Sequence, residues 1–388
     1  MIAQSCMDIS LATPLLGGLS PQTFMRRHWQ KKPLLVRQAL PGGVAIMSRA
    51  KLLELAGADE VESRLVVHKG GKWTMRQGPL KRSAYPPLQQ RQWTLLVQGV
   101  DLHVPAARAL LDRFRFVPDA RLDDLMLSYA TDGGGVGPHV DSYDVFLLQA
   151  QGRRRWRIGR VRDPALVPNA PLKVLTHFEP EQDWLLEAGD MLYLPPGWAH
   201  DGVAEGECVT CSIGFRASGR DELGREVLQR MLDGADPARA GPLYRDPAQA
   251  AVDAPGRIPD ALQAFAAGAV ARLLSDPKSL ACALGEVLSE PKRGVWFDVS
   301  AAARASAPRG VALDQRTRML YDDAHVFING ESFRATGRDA RLMRRLADYR
   351  TLNSRELLGL GREARALVDD WLDAGWLTQH AGPEAKQT

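Results

Sequence analysis

The chain reads as a mainly antiparallel β protein, a sandwich or small barrel, followed by a helical segment and a C-terminal unit of one hairpin and short helices. Three observations predict this. Between Leu125 and Phe215 the apolar residues alternate with period two, in short runs separated by Gly and Pro turns. From Leu223 to Leu288 they recur at helical spacing. Beyond residue 292, Phe327–Phe333 carries Asn329-Gly330 at its centre, the pair that suits a type I′ hairpin turn. A chain of 388 residues exceeds one ordinary core. The expected units are 1–217, 218–291 and 292–388.

Composition narrows the class. With 45% hydrophobic and 25% charged residues, the chain has the make-up of a soluble globular protein. The net charge of +4, from 50 basic and 46 acidic residues, demands no polyanionic partner. No apolar run reaches the roughly 18 residues of a membrane span. The opening MIAQSCMDISLATPLLGG has no early Lys or Arg and does not read as a secretory signal. Four cysteines make no disulfide framework. A cytoplasmic protein is expected.

Taken in order, Ser20-Pro21 suits a helix start, with Phe24, His28 and Trp29 on related spacing, and Pro33 stops it before a strand at Leu34–Val36. A further strand lies near Arg64–His68. Strands follow at Leu125–Ala130 and Val145–Ala150. Gln151-Gly152 is read as a turn into Arg153–Ile158, and later strands fall at Trp184–Glu187, Met191–Leu194 and Cys208–Phe215. Ser218–Asp221 has the capping-box pattern ahead of Leu223, Val227 and Met231. A Pro/Gly/Asp-rich connection spans 233–259. One helix then carries Leu262, Phe265, Ala269 and Leu273. The next opens with Asp276 as cap and Pro277, and carries Leu280, Leu284, Val287 and Leu288. These stripes exceed what one short helix buries alone, so this segment is expected to form a homodimer. After the hairpin, helices are expected at Arg338–Tyr349, Ser354–Leu358 and Glu363–Ala374, a winged-helix-like arrangement.

Chemistry concentrates in GGGVGPHVDSYDVFLLQAQGRRRWRIG, residues 133–159, and in GDMLYLPPGWAH, residues 189–200. On a strand, His139 and Asp141 point the same way about 6.6 Å apart and can lean onto one ion. His200 arrives from another strand, past the sharp Pro195-Pro196-Gly197 turn. Two histidines and one carboxylate on a β scaffold are the ligand set of non-haem Fe(II) oxygenases, and they leave positions open for cosubstrate and oxygen. An isolated H-x-D pair is usually a surface pair; the two turns and the basic strand between them argue otherwise here. Alternation puts Arg154 with Trp156 and Ile158 on an interior face, and Arg153, Arg155 and Arg157 on a solvated one. A buried arginine needs an anion, either a bound carboxylate or an internal Asp or Glu.

Other motifs carry less. Cys208 and Cys211 stand three apart on a strand, face opposite sides and have no second pair. Gly133–Gly137 leads into Pro138 and His139, not into the helix of a dinucleotide loop. Arg338, Arg341, Arg344 and Arg345 make a basic helix face, read as solvated or as a nucleic-acid contact.

FMRRHWQKKPLLVR (24–37), the 133–159 segment and the 189–200 segment closely resemble the bacterial JmjC-type ribosomal oxygenases. The resemblance implies a cupin/JmjC double-stranded β-helix with a helical dimerisation segment and a winged helix. It implies dependence on Fe(II), 2-oxoglutarate and O2, with hydroxylation of a large-subunit ribosomal protein side chain, arginine at its 3-position. His139, Asp141 and His200 then match the iron ligands, Arg154 the residue gripping the distal carboxylate of 2-oxoglutarate, and Ser128 a residue helping to hold it. The sequence around Tyr129–Asp132 is more polar than that pattern, which bears on substrate identity. Two other classes compete: a cupin-type ligand sensor with a DNA-binding winged helix, and a methyl-lysine demethylase.

Overall fold

The computed structural model describes residues 8–234, 242–251, 256–298 and 310–380. The first seven residues of the N-terminal stretch read against a secretory signal lie outside them, as does part of the 233–259 connection.

The N-terminal half is built on a ten-stranded antiparallel sheet. Its strands are β1 (Leu34–Val36), β2 (Ser63–Lys69), β3 (Lys72–Gln77), β4 (Trp93–Val97), β5 (Leu122–Ala130), β6 (His139–Val140), β7 (Val145–Arg160), β8 (Gln182–Leu186), β9 (Met191–Leu194) and β10 (Trp198–Phe215). The order is β1-β9-β7-β10-β5-β4-β2-β3, with β6 on β10 and β8 on β7. Three short helices accompany them: α1 (Pro21–Arg27), α2 (Arg49–Leu55) and α3 (Pro105–Leu111). Ser20 caps α1 as expected, its Oγ accepting from Thr23 N at 3.2 Å.

β7 and β10 organise everything else, pairing along nearly their whole length. The turn expected at Gln151-Gly152 is not one. β7 runs straight through it, and the register slips at Glu205/Val209, so the two strands bend together. Gly152 sits at φ 69°, where a Cβ would lie 2.2 Å from the Glu207 carbonyl oxygen; only glycine fits this bend. A bulge and a turn share the same Gly signal, and the cross-strand partner decides between them. Strand alternation then divides the apolar residues. Phe146, Leu148, Cys211, Ile213 and Phe215 face a large core with α1 and α3, while Val145, Leu147, Trp156, Ile158 and Leu186 line the inside of the bend.

Helices α4 (Arg220–Asp233), α5 (Asp260–Leu274) and α6 (Pro277–Ser289) follow. The capping box at Ser218–Asp221 does not form: Gly219 is the N-cap, and no side chain caps the helix. Asp276 does cap α6, accepting from Lys278 N at 3.0 Å. α4 packs on α6, and none of the side chains of α5 is buried.

The C-terminal unit holds two three-stranded sheets, formed by β11 (Gly310–Leu313), β12 (Met319–Tyr321), β13 (His325–Ile328), β14 (Glu331–Arg334), β15 (Thr351–Leu352) and β16 (Leu377–His380). Its helices are α7 (Gly337–Tyr349), α8 (Ser354–Leu358) and α9 (Arg362–Asp373). Asn329 (φ 49°) and Gly330 (φ 88°) turn β13 into β14 as the type I′ signal requires. This is a winged-helix fold around its own core. It is bolted to the β unit by Lys292, 3.0 Å from both Asp123 and Asp124, and by Arg115, which donates to the Ala347 and Asp348 carbonyls at the end of α7. On α7, Arg345 pairs with Glu356 and Arg344 donates to the Asp323 carbonyl, so the basic face is partly neutralised rather than simply solvated.

Candidate active site

β6 is only two residues long, and it lays His139 directly opposite His200 on β10. The imidazole centroids are 4.2 Å apart. Asp141 Oδ2 lies 3.9 Å from His139 Nε2 and 3.6 Å from His200 Nε2. Ligand atoms of all three lie within 4.8 Å of one another, the one such group among the described residues. An ion bonded at about 2.1 Å to each ligand keeps its ligands within about 4.2 Å of one another, so small side-chain movements close this set on a metal.

The backbone prepares the imidazoles. His139 Nδ1 is 2.9 Å from the Gly137 carbonyl, and His200 Nδ1 is 3.1 Å from the Trp198 carbonyl. A carbonyl only accepts, so each Nδ1 holds the proton and each Nε2 presents a lone pair to the common point. Burial, reinforced by neighbouring His139 and opposed by Asp141, pushes His200 down to about 4. At neutral pH His200 is therefore an uncharged donor.

Asp141 is carried on a short loop, and the loop is pinned by a neighbour that the sequence reading did not single out. Fully buried Asp144 accepts from Tyr193 Oη at 2.6 Å and from Gln30 Nε2 at 3.0 Å. Phe24 packs edge-on against Tyr193, and Trp29 stacks on it. The N-terminal FMRRHWQ run is thus a buttress for the carboxylate loop. Tyr143 on the same loop was also missed; burial first, then the Asp141 charge, raises its phenol above the ordinary range. Nothing in a period-two pattern marks either residue.

Arg154 lies on the inner face, 4% exposed, beside Trp156 and Ile158. Its Nη1 donates to Ser128 Oγ at 3.3 Å, whereas Nε and Nη2 have no partner. Among the described residues no carboxylate pairs with it, which removes the internal Asp or Glu alternative. A buried guanidinium with two idle donors is a socket for a planar anion. Ser128 shares a cross-strand row with Thr210 and Gln149, which are themselves linked at 3.0 Å, so the floor is polar. Trp156 covers the His200 end of this face, its ring 5.8 Å from that of His200. Opposite it stands Gly202, where a Cβ would fall 2.6 Å from the Trp156 ring.

The outward arginines depart from expectation. Arg155 pairs with Glu205 at 2.8 Å and Asp183 at 3.0 Å, and Arg157 pairs with Asp201 at 2.5 Å. They stitch β8, β7 and β10 together, and of the three only Arg153 is left as a solvated residue. Cys208 and Cys211 are buried on opposite faces of β10, as alternation requires.

A bent antiparallel β core that gathers two histidines and an aspartate, with a buried arginine on the same inner face, has the architecture of a JmjC oxygenase core. The JmjC domain family matches residues 109–223, and the ROXA-like winged helix matches residues 272–378. The chain is 44% identical over 217 residues to the ribosomal protein uL16 3-hydroxylase of Escherichia coli, covering 54% of this chain and 57% of that protein. It is 37% identical over 220 residues to a probable ribosomal oxygenase of Haemophilus influenzae, covering 56% and 53%. These alignments span a little over half the length of the curated relatives. The fold matches further: the E. coli ribosomal oxygenase YcfD superposes with a TM-score of 0.79 at 30% identity, over 94% of this chain and 98% of that one. Its complex with cobalt and 2-oxoglutarate superposes with a TM-score of 0.78 at 30% identity, over 92% and 98%. The chain belongs to the JmjC-domain ribosomal oxygenases.

Proposed function

We propose that the protein is an Fe(II)- and 2-oxoglutarate-dependent hydroxylase of a large-subunit ribosomal protein, acting on an arginine side chain at its 3-position. The observation that carries this reading is one inner face bearing both the His139, Asp141 and His200 cluster and the idle donors of Arg154. The relative named as a uL16 3-hydroxylase supplies the substrate class. His139, Asp141 and His200 would hold Fe(II); Arg154 would hold the distal carboxylate of 2-oxoglutarate, and Ser128 would help to hold the same cosubstrate. Bound there, Fe(II) with 2-oxoglutarate and O2 would supply the oxidising chemistry that converts a substrate C–H to C–OH, with succinate and CO2 as co-products. The protein's part is placement. The carbonyls of Gly137 and Trp198 fix both imidazoles, the Asp144 network fixes the Asp141 loop, and Trp156 excludes water above His200.

The organisation that fits this function is a catalytic domain at 1–217, a helical dimerisation segment at 218–291 and a winged helix at 292–388. Leu262, Phe265, Val270 and Leu273 of α5 are exposed, which supports a homodimer through this segment. A ribosomal-protein substrate supports a cytoplasmic location; separately, no helix among the described residues is long and apolar enough to cross a membrane. Intact-mass analysis of ribosomal proteins from cells with and without this gene tests the reading. A gain of about 16 Da on one large-subunit protein, dependent on the gene, is expected (one oxygen inserted in a C–H bond); a gene-dependent loss of methyl mass, or no change, refutes it.

A further inference from the structure

The inner face of β5 carries Asp124, Met126 and Ser128 in alternation, so Asp124 stands roughly 13 Å from Ser128 toward the end of the strand. There a cavity of about 310 Å³ opens. Its walls include Glu60 and Glu62 ahead of β2, Gln98 after β4, Asp124, and the segment from Lys292 to Trp296 that leads from α6 to the winged helix. Most of its cations are already engaged. Lys292 is held by Asp123 and Asp124, and Arg316 by Asp314 at 2.8 Å and Asp298 at 3.4 Å. Glu60 and Glu62 are exposed and have no ion-pair partner among the described residues; His103, whose pKa burial lowers despite the nearby Glu60 charge, and Arg293 share their cavity. Trp296 beside them is 78% exposed.

An open indole next to unpaired carboxylates contributes little to folding, since it buries little apolar area and gathers like charge. It is the chemistry that receives Lys and Arg side chains, with a π face for the cation and carboxylates for its N–H groups. We infer that this groove docks a basic stretch of the protein substrate that flanks the side chain entering the barrel. The inference rests on the protein-substrate reading above, and charge complementarity selects the occupant: ribosomal proteins neutralise RNA phosphates and are rich in Lys and Arg.

The test uses the whole chain and has two arms. Fluorescence anisotropy measures binding of a fluorescein-labelled Arg-Gly repeat peptide and of its Glu-Gly counterpart, and turnover is measured on purified uL16. Glu60→Gln with Glu62→Gln should weaken the Arg-Gly peptide about threefold to tenfold, and Trp296→Ala about twofold to fivefold. KM for uL16 should rise by similar factors at unchanged kcat, succinate release without protein substrate should stay as in wild type, and the Glu-Gly peptide should not bind. Unchanged peptide Kd and KM in both variants overturns the inference. So does light scattering in which Trp296→Ala dissociates a dimer, because a second copy then covers the groove. Peptide binding by wild type without any modification of uL16 refutes the proposed activity and leaves the groove standing.

Discussion

Replacing Arg154 separates cosubstrate binding from folding. In the structure its guanidinium is 4% exposed, spends one N–H on Ser128 at 3.3 Å and leaves Nε and Nη2 idle. Without cosubstrate it is a buried cation with no counter-charge, which costs stability. With a carboxylate in the socket it makes a charge-assisted, forked contact whose loss costs about 2–5 kcal/mol, or about 30- to 5,000-fold in affinity. Arg154→Met should therefore raise the apparent KM for 2-oxoglutarate within that range while leaving the urea midpoint of the cosubstrate-free protein equal to or above wild type. Arg154→Lys should fall between the two, since an ammonium keeps the charge and lacks the fork. Arg155→Ala is the control: its side chain is 43% exposed and its partners are Glu205 and Asp183, so KM should change little. Steady-state succinate release and chemical denaturation, run on the same preparations, give both numbers. A lower midpoint with unchanged KM would show that Arg154 is a structural residue, and a raised KM in Arg155→Ala alone would place the clamp on the other face.

Four further outcomes are expected. His139→Ala or Asp141→Ala should abolish turnover and weaken Fe(II) binding by equilibrium dialysis with far-ultraviolet circular dichroism unchanged; full activity in either removes the iron assignment. Gly202→Ala drives a methyl to 2.6 Å from the Trp156 ring, and should cost about 1–3 kcal/mol in urea denaturation, whereas a wild-type midpoint would mean the ring is free to move. Phe265→Glu with Leu273→Glu on α5 should give a monomer by light scattering at micromolar concentration, and a monomeric wild type would dispose of the dimer. The last concerns pH. His200 is depressed from 6.5 to about 4 in the fold, so the unfolded chain binds the extra proton first, and stability is full above 6.5 and falls as pH drops toward 4. Metal-free wild type should lose ground to His200→Asn over that window; parallel curves would mean the imidazole is not buried uncharged.

Local pattern decided a good deal. Period two between Leu125 and Phe215, the Ser20 and Asp276 caps and the Asn329-Gly330 turn each depend on one or two neighbours in the chain, and each is where the sequence places it. The facing of Arg154 with Trp156 and Ile158 follows from alternation alone. Alternation says which face a residue occupies; it does not say what lies across from it. Gly152 reads equally as a turn or a bulge until Glu207 is opposite, and Arg155 and Arg157 read as solvated until Glu205, Asp183 and Asp201 arrive from neighbouring strands. Asp144 is an ordinary polar residue in sequence and a fully buried anchor in the fold, because Tyr193 and Gln30 come from remote segments to satisfy it. The candidate site divides in the same way. Its residue types and the i, i+2 spacing of His139 and Asp141 are written in the chain, but the meeting of His139 with His200 is made by the register of β6 on β10, a long-range pairing that only the folded sheet sets.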